Sequence, residues 1–311
     1  MAFVPAPGYQ PAFNPPIPYT TQIAGGLRPG MAVCIQAQLP RDYNRFAVNF
    51  TTAEDEKSDI ALHLNARYDG RDRVVFNSRL NGEWKDEEMK REMPFKSGKV
   101  FVILFEITRN NYLVSANMER FYEFGHRIPM EHVNWLSVTG DIVVQTMSIL
   151  GCGAGVKGNL VMSAMQANLI PMMGPPAILP TVPFKAFISG GMIPKRTLVV
   201  KGMPTGKNFV INLKCGYNND IAFHLNPRLN KGTLVRNASL NGTWGQEETQ
   251  IAKNPFKQGD NYEVSIRSAE KNFKVFINGS HSFDFDHRTF NLAQVDTVEV
   301  EGDTKLYYVF F

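Results

Sequence analysis

A short alternation of apolar and polar residues, present twice, constrains this sequence more than any other feature. The first copy, residues 59–67, reads Asp-Ile-Ala-Leu-His-Leu-Asn-Ala-Arg, and the second, residues 220–228, reads Asp-Ile-Ala-Phe-His-Leu-Asn-Pro-Arg. A period of two predicts a β-strand with one buried face and one face open to water. The open face carries the same residue types in both copies: His63, Asn65 and Arg67 in the first, and His224, Asn226 and Arg228 in the second.

Any half-exposed strand needs polar residues on its outer face, so one copy alone would indicate little more than a solvent-facing surface. An ordinary surface of this kind would use Thr, Lys, Ser and Glu freely. The return of His, Asn and Arg in the same order, 161 positions later, favours a binding site.

Further matched segments indicate that one domain has been duplicated. Asn77 corresponds to Asn237, and residues 81–84 (Asn-Gly-Glu-Trp) correspond to residues 241–244 (Asn-Gly-Thr-Trp). A proline-rich start predicts an extended, largely unpacked tail. The predicted divisions are a tail over residues 1–18, a first domain over 19–150, a linker over 151–180 and a second domain over 181–311.

Short runs rich in Val, Ile, Phe and Tyr alternate with Gly, Asn, Asp and Pro turns, as in Val100–Thr108 and Tyr262–Arg267. Many short strands without a convincing helix predict an all-β fold. The length of 311 residues suits two domains. We therefore expect two jelly-roll β-sandwich domains, each of two antiparallel sheets.

Composition excludes several classes of partner. The net charge of +4 comes without a block of Lys and Arg, so nucleic acid is not an expected partner. No stretch reaches the roughly 18 apolar residues of a membrane helix, so the chain is not expected to be membrane-embedded. Cys34, Cys152 and Cys215 are widely spaced and form no C-x-x-C pair. Neither a disulfide framework, a metal site nor a cofactor is expected.

Catalysis is not expected either. Glu87 and Glu88 are adjacent, so on a strand they point to opposite faces and cannot flank one glycosidic bond. The same holds for Glu247–Glu248. His126–Arg127 and His287–Arg288 also repeat, but without a partner Ser or Cys, and packing at a strand end explains them more simply.

The expected location follows from three observations. The N-terminus has neither a positively charged start nor an apolar run, so it does not read as a signal peptide. Free thiols fit a reducing compartment. Asn237 begins an Asn-Ala-Ser sequon, and a glycan there would block the predicted site. We expect a cytoplasmic protein that avoids the secretory route.

The pattern His-x-Asn-x-Arg, then Asn, then Trp with Glu three residues later, resembles the sugar-binding motif of the galectins. The resemblance covers nearly the whole chain outside the linker, and the double motif is that of the tandem-repeat type. It implies binding of β-galactosides, such as lactose and N-acetyllactosamine, on glycoproteins and glycolipids, and export to the cell surface or extracellular space without a signal peptide. The implied carbohydrate-binding residues are His63, Asn65, Arg67, Val75, Asn77, Trp84 and Glu87 in the first domain, and His224, Asn226, Arg228, Val235, Asn237, Trp244 and Glu247 in the second.

Each predicted role has a chemical basis. Trp84 and Trp244 follow an Asn-Gly turn signal, which predicts a half-exposed strand start, whereas Trp135 has no counterpart and is assigned to the core. The axial 4-hydroxyl of galactose leaves a flat patch of C–H groups that suits an indole face. His, Asn and Arg would hydrogen-bond this hydroxyl and the ring oxygen. By the resemblance, Asn77 and Asn237 would take the 6-hydroxyl, and the two Glu residues the second sugar.

The sequence departs from the galectin pattern at a few positions. Met89 and Thr249 stand where Arg or Lys is usual, Ala66 where Pro is usual, and Lys85 where Gly commonly follows the Trp. Galactose recognition should persist, while the sequence leaves open the affinity and the preference for the second sugar. The alternative is a galectin-fold protein-interaction module with weakened sugar binding, although retention of both motifs argues against it. Self-association is left open.

Overall fold

The computed structural model describes residues 3–152, 173–251, 254–288 and 291–311. These residues form two compact units, which contain the first and the second repeat respectively. Their regular secondary structure consists of β-strands and three short 3-10 helices, which confirms the predicted all-β class. No helix among them is both long enough and apolar enough to cross a membrane.

The first domain is a sandwich of two antiparallel sheets, as predicted. Its strands are β1 (Tyr9–Phe13), β2 (Tyr19–Gln22), β3 (Ala32–Gln38), β4 (Arg45–Thr51), β5 (Ile60–Arg67), β6 (Arg73–Leu80), β7 (Glu83–Trp84), β8 (Glu88–Lys90), β9 (Val100–Ile107), β10 (Asn111–Ala116), β11 (Glu119–Gly125), β12 (Trp135–Gly140) and β13 (Val143–Leu150), with a 3-10 helix at Met130–His132. One sheet has the order β1-β13-β3-β9-β10-β11. The other has the order β2-β12-β4-β5-β6-β7, and β8 also pairs with β6.

The second domain repeats this arrangement with ten strands among the described residues, and two of them, at Thr197–Cys215 and Val295–Phe310, are much longer than any strand of the first domain. The ten strands are β14 (Ala177–Ile178), β15 (Phe184–Phe187), β16 (Thr197–Cys215), β17 (Ile221–Arg228), β18 (Thr233–Leu240), β19 (Thr243–Trp244), β20 (Tyr262–Ser268), β21 (Asn272–Ile277), β22 (Ser280–Asp286) and β23 (Val295–Phe310), with 3-10 helices at Leu229–Lys231 and Leu292–Gln294.

In the second domain, strands β16 and β23 connect the two sheets that were predicted to be separate. The first part of β16 pairs with β20 and its last part with β17, while β23 follows β16 along both parts. Hydrogen bonding is therefore continuous, and the ten strands form one connected sheet. In the first domain, residues 39–44 are not part of a strand and separate β3 from β4, which keeps the two sheets separate.

Each domain encloses its own hydrophobic core, and the period-of-two pattern decides which residues enter it. On β5, Leu62 and Leu64 are fully buried in the first core. On β17, Phe223 and Leu225 are fully buried in the second core. Because successive residues on a strand point to opposite faces, the intervening His and Asn residues lie on the other face of the sheet.

The segment Tyr9–Phe13 is a strand rather than a free tail. It pairs with β13 in register from Tyr9 opposite Leu150 to Phe13 opposite Thr146, and Tyr9 is buried. The prediction of a largely unpacked tail is wrong for this segment. A proline such as Pro11 is compatible with β1 because an edge strand donates hydrogen bonds on one side only.

The predicted linker contains a matching strand. Ala177–Ile178 pairs with Val309 and Tyr308, so this part of the linker belongs to the second sandwich. Asn14 and Leu179, which follow the two matching strands, share a positive φ of 47° and 46°. The repeat therefore extends further towards the N-terminus than the matched sequence segments indicate. Residues 153–172 of the predicted linker lie outside the described residues.

Candidate functional site

Neighbouring strands of the first domain align the predicted polar residues in rows. The central strand, β5, pairs with β4 on one side and β6 on the other. Directly paired residues point to the same face, so each row presents its side chains together. The rows are Asn49–His63–Asn77, Ala47–Asn65–Val75 and Arg45–Arg67–Arg73; their second-domain counterparts include Asn212–His224–Asn237 and Asn208–Arg228–Thr233.

His63 is held as a neutral ring in one tautomer. Its Nδ1 lies 2.5 Å from Oδ1 of Asn49, whose Nδ2 donates to Oγ of Ser137 at 3.1 Å. Because an acceptor oxygen faces Nδ1, that nitrogen carries the proton and Nε2 remains an acceptor. Burial, reinforced by nearby arginines of which Arg67 is the strongest, lowers the pKa of His63 to about 4. At neutral pH the ring therefore offers an acceptor to a ligand.

A chain of contacts orients Arg67. Asn65 donates from Nδ2 to the carbonyl oxygen of Phe46 at 2.8 Å, and its Oδ1 accepts from Nε of Arg67 at 2.6 Å. Nη2 of Arg67 in turn lies 3.2 Å from Oε2 of Glu87. A guanidinium has five N–H donors, so Arg67 retains donors for a ligand after these contacts.

A tight turn presents Trp84 to solvent. Asn81 and Gly82 have φ of 52° and 82°, the conformation that the Asn-Gly pair favours in a two-residue hairpin. Oδ1 of Asp59 accepts from the backbone N–H of Asn81 at 2.7 Å. Trp84 is 50% exposed, and its ring centroid lies 4.8 Å from that of His63. The predicted half-exposed position is confirmed.

Arg127 is a site residue whose role sequence reasoning missed. It donates from Nη1 to Oδ1 of Asn77 at 3.2 Å and to the carbonyl of Asp86 at 2.9 Å. Its Nη2 lies 2.6 Å from Oε1 of Glu88. Asn77 also donates to the carbonyl of Lys85 at 2.8 Å. Arg127 therefore ties Asn77 to the segment that follows Trp84, and the repeated His-Arg pair was the available signal.

The second domain reproduces this geometry. Trp244 is also 50% exposed, and burial is the main cause that lowers the pKa of His224 to about 4. The matched contacts are Nδ1 of His224 to Asn212 at 2.7 Å, Asn226 to the carbonyl of Phe209 at 2.8 Å, Arg228 to Asn226 at 2.8 Å, Arg228 to Glu247 at 2.8 Å, the rings of His224 and Trp244 at 4.8 Å, Arg288 to Asn237 at 2.7 Å, and Arg288 to Glu248 at 2.8 Å.

Comparison with known proteins identifies the family. A family model described as a galactoside-binding lectin matches residues 18–149 and 183–311. This chain belongs to the galectin family. It is 46% identical to human Galectin-4 over 322 aligned residues, and 45% identical to pig Galectin-4 over 321, covering 99% of each protein. It is 42% identical to mouse Galectin-6 over 311 residues, again covering 99% of both. The protein is a tandem-repeat galectin, a lectin rather than an enzyme.

Three side chains of this galectin lie differently from expectation. Val75 and Val235 share the face of the polar rows but are 0% and 1% exposed. They pack within the sheet surface and offer no side-chain area to a ligand. Trp135 is only partly buried and lies outside the first core, so its assignment to the core is wrong. It lies on the face of Ser137, opposite Thr51, rather than inside the sandwich.

The polar rows of the first domain form the floor of one groove. Two adjoining pockets of about 460 and 340 Å³ share His63, Arg67 and Trp84. The groove combines a neutral acceptor, guanidinium donors and an indole plane, which suits a polyhydroxylated ring with one apolar face. Among the described residues, no group of three or more His, Cys, Asp and Glu side chains is placed to hold a metal ion.

Proposed function

We propose that this galectin is a bivalent lectin whose two sites bind β-galactosides such as lactose and N-acetyllactosamine, so that one chain cross-links two glycoconjugates. The observation that carries this proposal is the duplication of a half-exposed tryptophan beside a neutral histidine, Trp84 with His63 and Trp244 with His224. In each copy, an Asn-Arg-Glu chain of hydrogen bonds completes the site.

The contacts account for a preference for galactose. With the sugar's C–H face on Trp84, the axial 4-hydroxyl donates to Nε2 of His63 and accepts from a guanidinium N–H of Arg67. The equatorial hydroxyl of glucose points away from both groups. Binding glucose would therefore leave buried donors and acceptors without partners, a cost of roughly 1–3 kcal/mol per group.

The neighbouring groups define the rest of the ligand. Asn77 uses one Nδ2 hydrogen on the carbonyl of Lys85, and its second hydrogen is available to the 6-hydroxyl of galactose. Glu87, held by Arg67, accepts from a hydroxyl of the second sugar. Glu247 and Arg228 have the same arrangement in the second domain.

Two weak sites on one chain act together. A single shallow sugar site binds in the micromolar to millimolar range, roughly −4 to −8 kcal/mol. Attachment of one site raises the effective concentration of its neighbour for a second glycan. Cross-linking at a cell surface also requires that the protein leave the cytoplasm, and we propose a route that needs no signal peptide.

Affinity chromatography and agglutination test the two parts of the proposal. The intact protein should bind a lactose column and elute with free lactose but not with sucrose. It should also agglutinate galactoside-bearing cells, whereas an equimolar mixture of Trp84→Ala and Trp244→Ala chains should not, because each of these chains is monovalent. Failure to bind lactose would favour a protein-interaction module. Agglutination by the mixture at equal potency would contradict cross-linking within one chain.

A further inference from the structure

Beyond Glu87, the groove of the first domain opens into a further pocket of about 730 Å³. The loop between β5 and β6 and the end of β8 form its walls. The polar lining comes from Asp69, Arg71, Asp72, Arg73 and Arg91, and half-exposed Met89 contributes apolar surface.

Strand register places this pocket at the second-sugar end of the groove. Arg73 is paired with Arg67, which holds Glu87. Met89 is paired with Val75, one row further along β6 from Asn77. A disaccharide that has its galactose on Trp84 and its second sugar at Glu87 therefore directs its reducing end towards this pocket.

The charges of the pocket do not cancel. Arg73 donates to both carboxylate oxygens of Asp69, at 2.6 and 3.0 Å, and this pairing holds the pKa of Asp69 below its usual range. Arg73 also donates to the carbonyl of Arg71 at 3.0 Å, which fixes the loop. Among the described residues, Arg71 and Arg91 have no salt-bridge partner, and Asp72 is the single remaining carboxylate of the lining. One positive charge is left over.

The second domain carries different charges at the same place: Lys231 is the single charged side chain of its connecting segment, and the positions of Arg73 and Arg91 are uncharged. Thr233 occupies the position of Arg73, since each pairs with the arginine of its site motif. By the spacing of the repeat, Thr249 and Ile251 stand in the positions of Met89 and Arg91. The connecting segment between the two site strands is also one residue shorter, with a 3-10 helix at Leu229–Lys231. The second domain therefore lacks the arginines but retains one ammonium group, that of Lys231, and it serves as a charge-free control only when Lys231 is also replaced.

We propose that this pocket receives the substituent at the reducing end of the second sugar and that Arg71 and Arg91 select an anionic one, a carboxylate or a sulfate. Planar guanidinium groups match such oxyanions in geometry as well as charge. The selection rests on the proposed function, because a galactoside must first occupy the neighbouring groove. It makes the first domain the one that recognises an anion through guanidinium groups on the reducing side.

Calorimetry on the full-length Trp244→Ala protein tests this, because sugar then binds only to the first domain. Lactobionate and lactitol share a galactose and an open-chain second residue, and differ in a carboxylate against a hydroxymethyl group at its end. Lactobionate should bind about threefold more tightly at low salt, the scale of one exposed charge pair. Rising salt should reduce this preference. Adding Arg71→Gln and Arg91→Gln should abolish it while leaving lactitol affinity unchanged.

The full-length Trp84→Ala protein that also carries Lys231→Gln reports the second domain without the one cation of that segment, and it should show no preference. Equal binding of lactobionate and lactitol by the Trp244→Ala protein would overturn the charge selection and leave galactoside binding intact. A preference that survives both Arg→Gln changes would also overturn it, since the anion would then be read elsewhere. Absence of binding of lactose itself would overturn the proposed function together with this inference.

Discussion

The two sites of this galectin are alike at their centres and different at their ends. At the centre, the His, Asn, Arg and Trp contacts recur with closely similar distances. At the ends, Arg45 is replaced by Asn208, which pairs with the corresponding arginine. Central side chains satisfy one another's hydrogen bonds, so any change leaves a partner unpaired. Exposed end positions have no such constraint, so their residues can differ between the two copies.

The support beneath the sites differs in the same way. Glu88 accepts from the hydroxyl of Tyr122 at 2.6 Å as well as from Arg127. Glu248 is held instead by two arginines, Arg288 at 2.8 Å and the buried Arg236 at 3.9 Å. The same carboxylate position is therefore satisfied by a tyrosine in one domain and by a second arginine in the other. The need for a partner is common to both copies, but its chemical identity is not.

The largest expected effect removes one site and leaves the other. Trp84→Ala or Trp244→Ala should each weaken lactose binding at its own site by about 2 kcal/mol or more, because a central aromatic anchor is lost. Calorimetry on the full-length protein should show the number of sites fall from two to one. An unchanged circular dichroism spectrum serves as the control for folding, and the unchanged affinity of the remaining site shows that the effect is confined to one domain. Retention of two equal sites in either variant would contradict the assignment.

The next prediction compares Arg127 with Arg288, the arginines that hold Asn77 and Asn237 in the two sites. Arg127→Ala and Arg288→Ala should each weaken lactose binding in their own domain by about 1–2 kcal/mol, because Asn77 or Asn237 loses a charged donor. Lysine at either position should restore part of the loss, since one donor can still reach. Each variant is best measured in a chain whose other site carries the Trp→Ala change. Weaker lactose binding in only one of the two domains would show that Arg127 and Arg288 contribute unequally to the free energy of binding.

A smaller effect should separate the ends of the grooves. An Arg at position 89 or 249 would support the Glu two residues earlier and donate to the second sugar. Thr249→Arg should tighten N-acetyllactosamine binding by about 1 kcal/mol. Met89→Arg should gain less, because Arg73 and Arg91 already line that pocket and repel a further cation. Methyl β-galactoside, which has no second sugar, is the control ligand. Equal gains for both ligands would place the effect on the whole groove.

The smallest expected effect is that of pH on lactose binding, at pH values above about 5. Since burial lowers the pKa of His63 and His224 to about 4, both rings stay neutral and lactose affinity should be constant between about pH 5 and 8. The unfolded chain protonates these rings near pH 6.5, so the free energy of unfolding should fall as pH drops from about 6.5 to 4. NMR titration of the imidazole protons checks this. Titration of either ring near 6.5 would contradict the neutral acceptor.

A large part of the site was predictable from sequence because its residues follow local patterns. The period of two placed His63, Asn65 and Arg67 on one face, and the Asn-Gly pair predicted the turn that exposes Trp84. Each of these features depends on residues only a few positions apart. Trp135 shows the limit, because a lone tryptophan carries no local signal for the face on which it lies.

The duplication, the all-β class and the two polar strands follow from the order of the amino acids alone. Three further features arise only in the folded protein: Arg127 contacts Asn77 across 50 positions, Tyr9–Phe13 forms the edge strand of a sheet, and Val75 is buried. These outcomes depend on which strands become neighbours and in what register. Register is settled by packing both faces of a sheet at once, and no single stretch of sequence contains that information.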